Sequence, residues 1–256
     1  MKFTVLTLFP EIPRAFFENS IMAKAVEKGI IAYDLVNIRD FALDKHKTCD
    51  DNPYGGGAGM LMKTEPLCGA IESVGVKPKA FSKNGKKRKR TKRVIYVSPS
   101  GKPLTQKLAN ELSKEEELVF ICGRYEGIDQ RIIECYVDDE ISVGDYVLSS
   151  GELAATVIID SVYRLVDDVI SSESLEEESF TDGLLEYPQY TRPEIFRGMK
   201  VPEVLLSGHH ENIRKWRLKK RLEKTLRFRP ELIAQARKEG KLTDEEEKMI
   251  EEITGD

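Results

Sequence analysis

The sequence has few of the residues that build metal sites and disulfide frameworks. Its 256 residues include four cysteines, three histidines and one tryptophan. The cysteines are Cys49, Cys68, Cys122 and Cys135, and no two of them form a C-x-x-C pair. We therefore expect reduced, mostly buried thiols rather than disulfides or zinc ligands, and we predict no metal site formed by the protein.

Long apolar runs are also absent. No stretch reaches the roughly eighteen apolar residues that a membrane-spanning helix requires. The N-terminal MKFTVLTLFPE is too short and too soon acidic for a signal peptide. Apolar residues make up 40% of the chain, enough for the core of one large domain or two modest ones. We expect a globular protein in the cytoplasm, with no membrane partner.

The chain lacks an excess of basic charge, since its formal net charge is −4. Its basic residues are nevertheless concentrated in two stretches. Residues 82–93 contain eight Lys or Arg and no acid, and residues 209–230 contain nine Lys or Arg against Glu211 and Glu223. Each stretch is a candidate for binding nucleic-acid phosphates, and the alternative for each is a solvated loop or helix face.

Short apolar segments alternate with helical patterns through about the first 165 residues. The predicted strands are 3–8, 30–38, 94–98 and 118–122. The predicted helices are 12–28, which Gly29 closes, 104–112, which Pro103 opens, and the segment that follows Gly151. This strand, helix, strand rhythm is typical of an α/β fold with a parallel sheet and helices on both faces.

Three loops at the ends of predicted strands combine glycine with polar side chains. They are 99–102, 123–127 and 142–151. In open α/β sheets ligands bind where strands end in loops, and the unpaired N–H groups that open a helix at Gly151 are suited to polar ligand atoms. Ordinary turns would explain the glycines. They give no reason for Arg124, Tyr125 and Glu126 between two glycines, so we predict a pocket.

A long loop between residues 40 and 63 contains the run DDNPYGGGAGM. A loop of this length in a compact domain is usually functional. Its glycines do not form a dinucleotide fingerprint, because no strand precedes them and no acidic residue follows at the required distance. The chain also has no P-loop motif. The loop instead offers flexible backbone for the close approach of RNA or a ligand.

The chain changes character after residue 166. Residues 167–183 are polar and acidic without apolar periodicity, which is typical of a flexible linker. Residues 184–256 are mostly helical in pattern and form a predicted second, smaller domain. Its core stripe is Ile213, Trp216, Leu222 and Leu226. A capping box at Thr243 is predicted to begin the last helix.

Five motifs carry a resemblance to a known family. They are PYGGGAGMLMK, CGRYEGID, SVGDYVLSSGELAA, YPQYTRPE and VPEVLLSGHHENIRKWR. Between Leu6 and Pro230 the chain resembles the bacterial tRNA (guanine-N1)-methyltransferases of the knotted SPOUT superfamily. The resemblance implies a trefoil knot in the C-terminal half of the first domain, residues 1–166. It also implies a small helical domain that binds the anticodon stem-loop of tRNA.

The implied reaction transfers a methyl group from S-adenosyl-L-methionine to N1 of the guanine immediately 3′ of the anticodon, position 37. The resemblance implies a homodimer with shared active sites, and Mg²⁺ is a candidate assistant in catalysis. Residues carried over to the cofactor pocket are Tyr96, Val97, Ser98, Pro99, Gly101, Gly123, Tyr125, Glu126, Val143, Gly144, Asp145, Tyr146, Val147, Leu148, Ser150, Gly151 and Leu153. Residues carried over to tRNA binding are Gly55, Gly57, Gly59, Arg192, Ser207, His209, Arg214, Trp216 and Arg217.

Methylation of guanine N1 requires a base for the N1 proton and a positive group for the charge that develops on O6. Arg164 matches the family's arginine. The family's base is usually an Asp before Ser-Phe, and Glu178 occupies that position here. Asp182 is the alternative, because the linker is one residue shorter than usual. Ser150 replaces the first glycine of a common pair, and residues 166–169 replace a Pro-Gly turn.

Two other functions fit parts of the sequence. A non-catalytic RNA-binding protein would explain the basic stretches, but it leaves the three glycine-marked loops unexplained. A SPOUT methyltransferase that acts at another RNA position would explain the loops. Only the resemblance of the YPQYTRPE and HHENIRKWR segments argues against it.

Overall fold

Five strands form one parallel sheet in the first of two units. The computed structural model describes residues 1–79, 91–171 and 178–255, and the units are Met1–Ile170 and Ser171–Asp256. The strands of the first unit are β1 (Lys2–Thr7), β2 (Ala32–Asn37), β3 (Asp50–Asp51), β4 (Leu61–Met62), β5 (Lys92–Pro103), β6 (Glu117–Cys122) and β7 (Asp139–Ser142). The sheet has the order β2-β1-β6-β5-β7, with every neighbouring pair parallel, and β3 and β4 form a separate antiparallel pair. The predicted parallel α/β sheet is confirmed.

Helices cover both faces of this sheet. They are α1 (Glu11–Phe17), α2 (Ser20–Glu27), α3 (Thr64–Ser73), α4 (Gln106–Leu112), α5 (Gln130–Tyr136) and α6 (Gly151–Tyr163). Because alternate side chains of a strand point to opposite faces, Phe3 and Val5 enter the buried cluster with α1, α2, α4 and α6. Leu6 enters the other cluster, with α3 and α5. The trefoil knot that the resemblance implies stays a prediction.

The single helix predicted for residues 12–28 is wrong, because the chain forms α1 and α2 with a break between them. Asn19 is extended and Ser20 has a φ of +60°. The amide of Asn19 donates to the carbonyl oxygen of Ala15 at 2.7 Å and so satisfies the end of α1. Such side-chain bonds compete with continued helix. The predicted end at Gly29 is confirmed by its left-handed φ of +71°.

The prediction that Pro103 opens a helix is also wrong. β5 runs through Pro103, and α4 begins two residues after Leu104, where the Thr105 hydroxyl caps it by accepting a hydrogen bond from the N–H of Leu108 at 3.2 Å. The predicted loop 99–102 is an irregular part of β5, because its pairing with β7 shifts between Val97 and Lys102. A proline without an N–H is tolerated at such an irregularity.

The second unit is a small helical bundle with a short hairpin. Its elements are β8 (Ile195–Phe196), β9 (Met199–Lys200), α7 (Glu203–Leu206), α8 (His210–Phe228), α9 (Pro230–Lys238) and α10 (Asp244–Thr254). Its buried core contains Leu222 from the predicted stripe, and Leu226 packs against that core. Ile213 and Trp216 are half-buried and lie outside it. The predicted capping box at Thr243 is confirmed.

The four cysteines are free thiols. Burial raises the pKa of the Cys49 and Cys122 thiols, which makes them poor nucleophiles. Within residues 1–79, 91–171 and 178–255, no group of three or more His, Cys, Asp or Glu side chains is placed to hold a metal ion. No helix in the described part of the chain is long and apolar enough to cross a membrane.

Candidate active site

The carboxyl ends of three neighbouring strands bring the three predicted pocket loops together. Val97 of β5 is paired with Cys122 of β6 on one side and with Ile141 of β7 on the other. The chain therefore leaves β6 at Gly123 and β7 at Val143 next to the irregular part of β5. This edge is where open α/β sheets bind ligands.

Two glycines join these loops by a close backbone contact. The N–H of Gly151, the first residue of α6, donates to the carbonyl oxygen of Gly123 at 3.0 Å. A Cβ atom on Gly151 would lie 2.7 Å from the backbone nitrogen of Gly123 and 2.9 Å from the Cα of Cys122. A Cβ atom on Gly123 would lie 3.0 Å from the ring of Tyr96. Position 151 therefore requires glycine because of close backbone approach, whereas a side chain at position 123 would require the Tyr96 ring to shift by a few tenths of an ångström.

Tyr96 packs against this glycine contact and is only 7% exposed. Burial raises the pKa of its hydroxyl, although the backbone N–H of Ile128 donates to the oxygen and acts in the opposite direction. Exposure to solvent increases along the next residues of β5, because Val97 is buried, Ser98 is half-buried and Pro99 is exposed. At Gly101, a Cβ atom would meet the backbone of β7 at 2.5 Å.

The loop between β7 and α6 is held by its own hydrogen bonds. The hydroxyl of Ser142 donates to the carbonyl oxygen of Gly144 at 3.0 Å and accepts from the N–H of Gly144 at 3.2 Å. The hydroxyl of Tyr146 donates to the carbonyl oxygen of Val143 at 3.2 Å. The exposed pocket residues of this segment are Asp145, Tyr146, Val147, Leu148 and Leu153. A ligand that covered the apolar side chains among these residues would be stabilised by the burial of their surface.

Arg124, which is not among the residues carried over to the cofactor pocket, connects two of the pocket loops. Its guanidinium donates to the carbonyl oxygen of Ser149 at 2.8 Å. The same group lies 4.4 Å from the centroid of the Phe9 ring, a cation–π geometry. The signal in the sequence was an arginine between two glycines, which turn chemistry does not require.

The glycine-rich loop lies against the Gly123 loop. The hydroxyl of Tyr125, which has a φ of +57°, donates to a carboxylate oxygen of Asp50 at 3.2 Å. The N–H of Glu126 donates to the carbonyl oxygen of Met60 at 3.0 Å. A Cβ atom on Gly59 would meet the Glu126 side chain at 2.4 Å. Residues predicted to bind the cofactor and residues predicted to bind RNA are therefore neighbours.

The same loop borders an open cleft of about 630 Å³ that the sequence did not predict. Its polar lining includes Asp51, Tyr54, Lys63, Asp129 and Arg131. The guanidinium of Arg131 donates to both carboxylate oxygens of Asp129, at 2.9 and 2.7 Å. Gly55 and Gly57 have positive φ angles, and a Cβ atom on either would meet nothing within 4 Å. This part of the loop presents free backbone to solvent.

One carboxylate is fully buried beside the pocket. Glu152, in the first turn of α6, accepts a hydrogen bond from the hydroxyl of Thr7 at 2.5 Å. The Thr7 oxygen also accepts from the N–H of Phe9 at 2.9 Å. Burial and the charge of Glu152 both raise the pKa of the Cys122 thiol. The carboxylate thus fixes the end of β1 to the start of α6.

The predicted catalytic residues are divided between the two units. Arg164 is the C-cap residue of α6 in the first unit, and its charge partly offsets the effect of burial, which raises the pKa of Asp160. Glu178 and Asp182 belong to the second unit. Asp182 accepts a hydrogen bond from the guanidinium of Arg221 at 2.5 Å. This ion pair holds Asp182 to α8, and the choice between Glu178 and Asp182 as the base stays a prediction.

Comparison with known proteins identifies the family. A family model described as tRNA (Guanine-1)-methyltransferase TrmD matches residues 1–235. The tRNA (guanine-N(1)-)-methyltransferase of Treponema denticola is 68% identical over 253 residues, which cover 99% of each chain. This chain belongs to the tRNA (guanine-N1)-methyltransferase family. The recognition from the five sequence motifs is confirmed.

Two further members of the family are similar over most of their length. The tRNA (guanine-N(1)-)-methyltransferase of Treponema pallidum is 58% identical over 253 residues, which cover 99% of this chain and 96% of that protein. The Borrelia duttonii protein of the same name is 62% identical over 234 residues, which cover 91% and 92% of the two chains. The protein is thus an enzyme of this methyltransferase class.

In this family member, most residues predicted to bind tRNA lie in the second unit. Those on exposed turns are Arg192, Ser207 and His209. On α8, the ring of Trp216 lies 6.2 Å from that of Tyr190, and the guanidinium of Arg217 lies 4.6 Å from the centroid of Tyr187. These aromatic contacts fix the orientation of two predicted RNA contacts before any RNA binds.

Ion pairs occupy several other cations of α8. They join Arg214 to Glu211 and Glu245, Lys220 to Glu223, and Arg221 to Asp182. Within the described residues, Lys219 and Lys224 have no carboxylate partner. These two lysines and the exposed Arg227, which likewise has no carboxylate partner in the described part of the chain, are therefore the α8 cations most available to a phosphate.

Only the end of the first basic stretch lies in the described part of the chain. Residues 82–90 lie outside the described residues. Lys92 pairs with Glu117 at 2.8 Å, and Arg93 pairs with Asp139 at 2.6 Å. The last two cations of the stretch thus hold β5 to its neighbours.

Proposed function

We propose that this enzyme transfers a methyl group from S-adenosyl-L-methionine to N1 of guanine 37, the guanine immediately 3′ of the anticodon in tRNA. The observation that carries the proposal is the meeting of three loops around the close contact of Gly123 and Gly151. A surface of backbone and small residues suits a ligand whose adenine edge is read by main-chain N–H and C=O groups. Its place at strand ends is the usual ligand site of an open α/β sheet.

The test is transfer of a labelled methyl group from S-adenosyl-L-methionine to a tRNA transcript. A transcript with adenine at position 37 is the control. We expect label in the first transcript only. Equal label in both would move the reaction to another RNA position, and label in neither would refute the donor or the activity.

The reaction requires chemical groups on two sides of the guanine. N1 must lose its proton before its electron pair can attack the methyl carbon, and negative charge then develops on O6. We assign proton acceptance to the carboxylate of Glu178 and stabilisation of O6 to the guanidinium of Arg164. When bound, S-adenosyl-L-methionine supplies the electrophilic methyl group.

We infer a homodimer in which each active site combines residues of two subunits. Support comes from the membership of Arg164 and Glu178 in different units and from the family arrangement that the motifs imply. We expect Gly123→Trp, in the cofactor loops of the first unit, and Glu178→Gln, in the second unit, each to lose most of the activity. In verified heterodimers of the two variants, one site of two should be intact and should restore about half of the wild-type rate. Absence of recovery would count against shared sites.

tRNA binding should depend on salt, because cations of α8 displace counterions from phosphates. Replacing Lys219 and Lys224 with Gln is expected to reduce the slope of log K against log salt by about one to two. Lys220→Gln is the matched control, since Lys220 already pairs with Glu223 at 2.6 Å. Filter binding across a salt series measures the slopes. Equal effects at paired and unpaired lysines would contradict the assignment.

The same proposal gives the protein its place in the cell. Because its substrate is tRNA, we expect the enzyme in the cytoplasm. We also expect α8 and the turn before it to contact the anticodon stem-loop of the tRNA. The residues of that turn are exposed in the described part of the chain.

A further inference from the structure

The last helix begins with carboxylates that reach arginines of other helices. Glu245 accepts hydrogen bonds from two guanidinium nitrogens of Arg214, at 2.7 and 3.0 Å. Glu247 accepts two from Arg237, at 2.8 and 2.6 Å. Both contacts are bidentate, which is also the geometry in which arginine binds phosphate.

Four of the five N–H groups of the Arg214 guanidinium are engaged by carboxylates. Glu211 takes its other edge, with bonds of 3.0 Å from Nε and 2.9 Å from a terminal nitrogen. Two carboxylates thus hold four N–H groups in the plane of one cation. A phosphate can bind Arg214 in a bidentate manner only by displacing one of the two carboxylates.

The helix that carries Glu245 is itself anchored. Ile250 of α10 is 4% exposed and belongs to the core of the second unit with Leu222 and Ile233. The Thr243 capping box fixes the first turn. The carboxylates are therefore held beside the arginines, and deletion of the helix would uncover the core.

The helix α10 lies after the residues that the family model matches. The family model ends at residue 235, and α10 begins at Asp244. The aligned 253 residues of the Treponema denticola relative are long enough to extend beyond this boundary. The acidic turn thus lies beyond the residues that the family model matches, in a part of the chain that the Treponema denticola alignment covers.

We propose that the acidic first turn of α10 competes with RNA phosphates for Arg214 and so weakens binding of RNA that offers phosphates alone. The inference rests on the proposed function, because it requires α8 to face RNA. Phosphate contacts carry no sequence information, so their loss lowers non-specific binding more than binding of a correctly shaped tRNA. Lys219 and Lys224 remain available for the cognate complex.

The test compares Glu245→Gln with Glu252→Gln in the full chain. Glu252 is exposed on the same helix and has no arginine partner among the described residues. Glu252→Gln therefore removes the same charge without breaking an ion pair with arginine. Binding to the tRNA transcript and to an unrelated RNA hairpin is measured by anisotropy across a salt series. Glu245→Gln should tighten hairpin binding about three- to tenfold at low salt, the range of one added phosphate contact. It should tighten tRNA binding less, and Glu252→Gln should change either by less than about twofold.

Arg214→Ala is introduced into the wild type and into Glu245→Gln, to test whether the tighter RNA binding depends on Arg214. We expect Glu245→Gln to tighten hairpin binding when Arg214 is present and to leave it unchanged when both proteins carry Arg214→Ala. Equal gains from both glutamate variants, a gain that survives Arg214→Ala, or no RNA binding by any variant would overturn the proposal. Thermal unfolding checks that the variants are folded. Methyl transfer by the wild type is measured separately, so failure of the proposed function is distinguished from failure of this inference.

Discussion

Glu178→Gln is expected to lower the methyl-transfer rate by about 10²- to 10⁴-fold, the usual effect of losing a general base. The glutamine keeps the size of the side chain but cannot accept the N1 proton. Binding of S-adenosyl-L-methionine and tRNA should remain close to wild type, because the change affects proton transfer alone. Single-turnover rates with saturating tRNA measure the loss, and equilibrium binding measures what is retained.

Asp182→Asn is the matched comparison, because it removes the rival carboxylate. Asp182 is bound to Arg221 at 2.5 Å and accepts the N–H of Leu184 at 3.1 Å. Its replacement should therefore lower the stability of the second unit more than the chemical rate. Thermal unfolding should detect this loss, while the single-turnover rate falls much less than in Glu178→Gln.

The pH dependence separates the two carboxylates a second time. Raising the pH ionises more guanine N1 in solution, so a variant that lacks only its base should recover part of its rate as pH rises. We expect this recovery in Glu178→Gln. A large, pH-rescued loss in Asp182→Asn, with little loss in Glu178→Gln, would make Asp182 the base.

Sequence patterns correctly predicted the elements that depend on contacts between residues close together in the chain. β6 is apolar from Leu118 to Cys122 and is buried throughout. It could therefore be predicted as a buried strand without knowing which strands pair with it. The capping box at Thr243 is likewise a contact within four residues. The break at Asn19 was missed although it is local, because the competing bond from Asn19 to Ala15 leaves the apolar periodicity of the two helices intact.

Contacts between distant residues produced the other differences. β5 continues to Pro103 because β7, about forty residues later, pairs with it on both sides of the irregular part. Arg214 reads as a free cation in the sequence, yet Glu245 holds it from 31 residues further along. Gly151 of the pocket also depends on a contact between distant residues. It must be glycine because the backbone of Gly123 lies against it, and the residue preferences of turns do not reveal such a contact.

Gly151→Ala is expected to weaken binding of S-adenosyl-L-methionine and to lower the methyl-transfer rate by about 10²-fold, the scale of a 1 Å displacement in a positioned site. The added Cβ would lie 2.7 Å from the Gly123 nitrogen and 2.9 Å from the Cα of Cys122. Because both neighbours are backbone atoms, the Gly123 loop must move. Overpacking of this kind should also lower the free energy of unfolding by about 1–3 kcal/mol. Calorimetry of the full chain without RNA measures the affinity, since all three pocket loops belong to the first unit.

Ser150→Gly is the control for this substitution. Ser150 precedes the same helix, and its side chain makes no capping hydrogen bond. It should therefore bind S-adenosyl-L-methionine within about twofold of wild type, with only the small loss of stability that an added glycine causes. Wild-type affinity in Gly151→Ala would show that the contact of Gly123 and Gly151 does not shape the cofactor pocket. Loss of affinity in both variants would point instead to a general sensitivity of the start of α6.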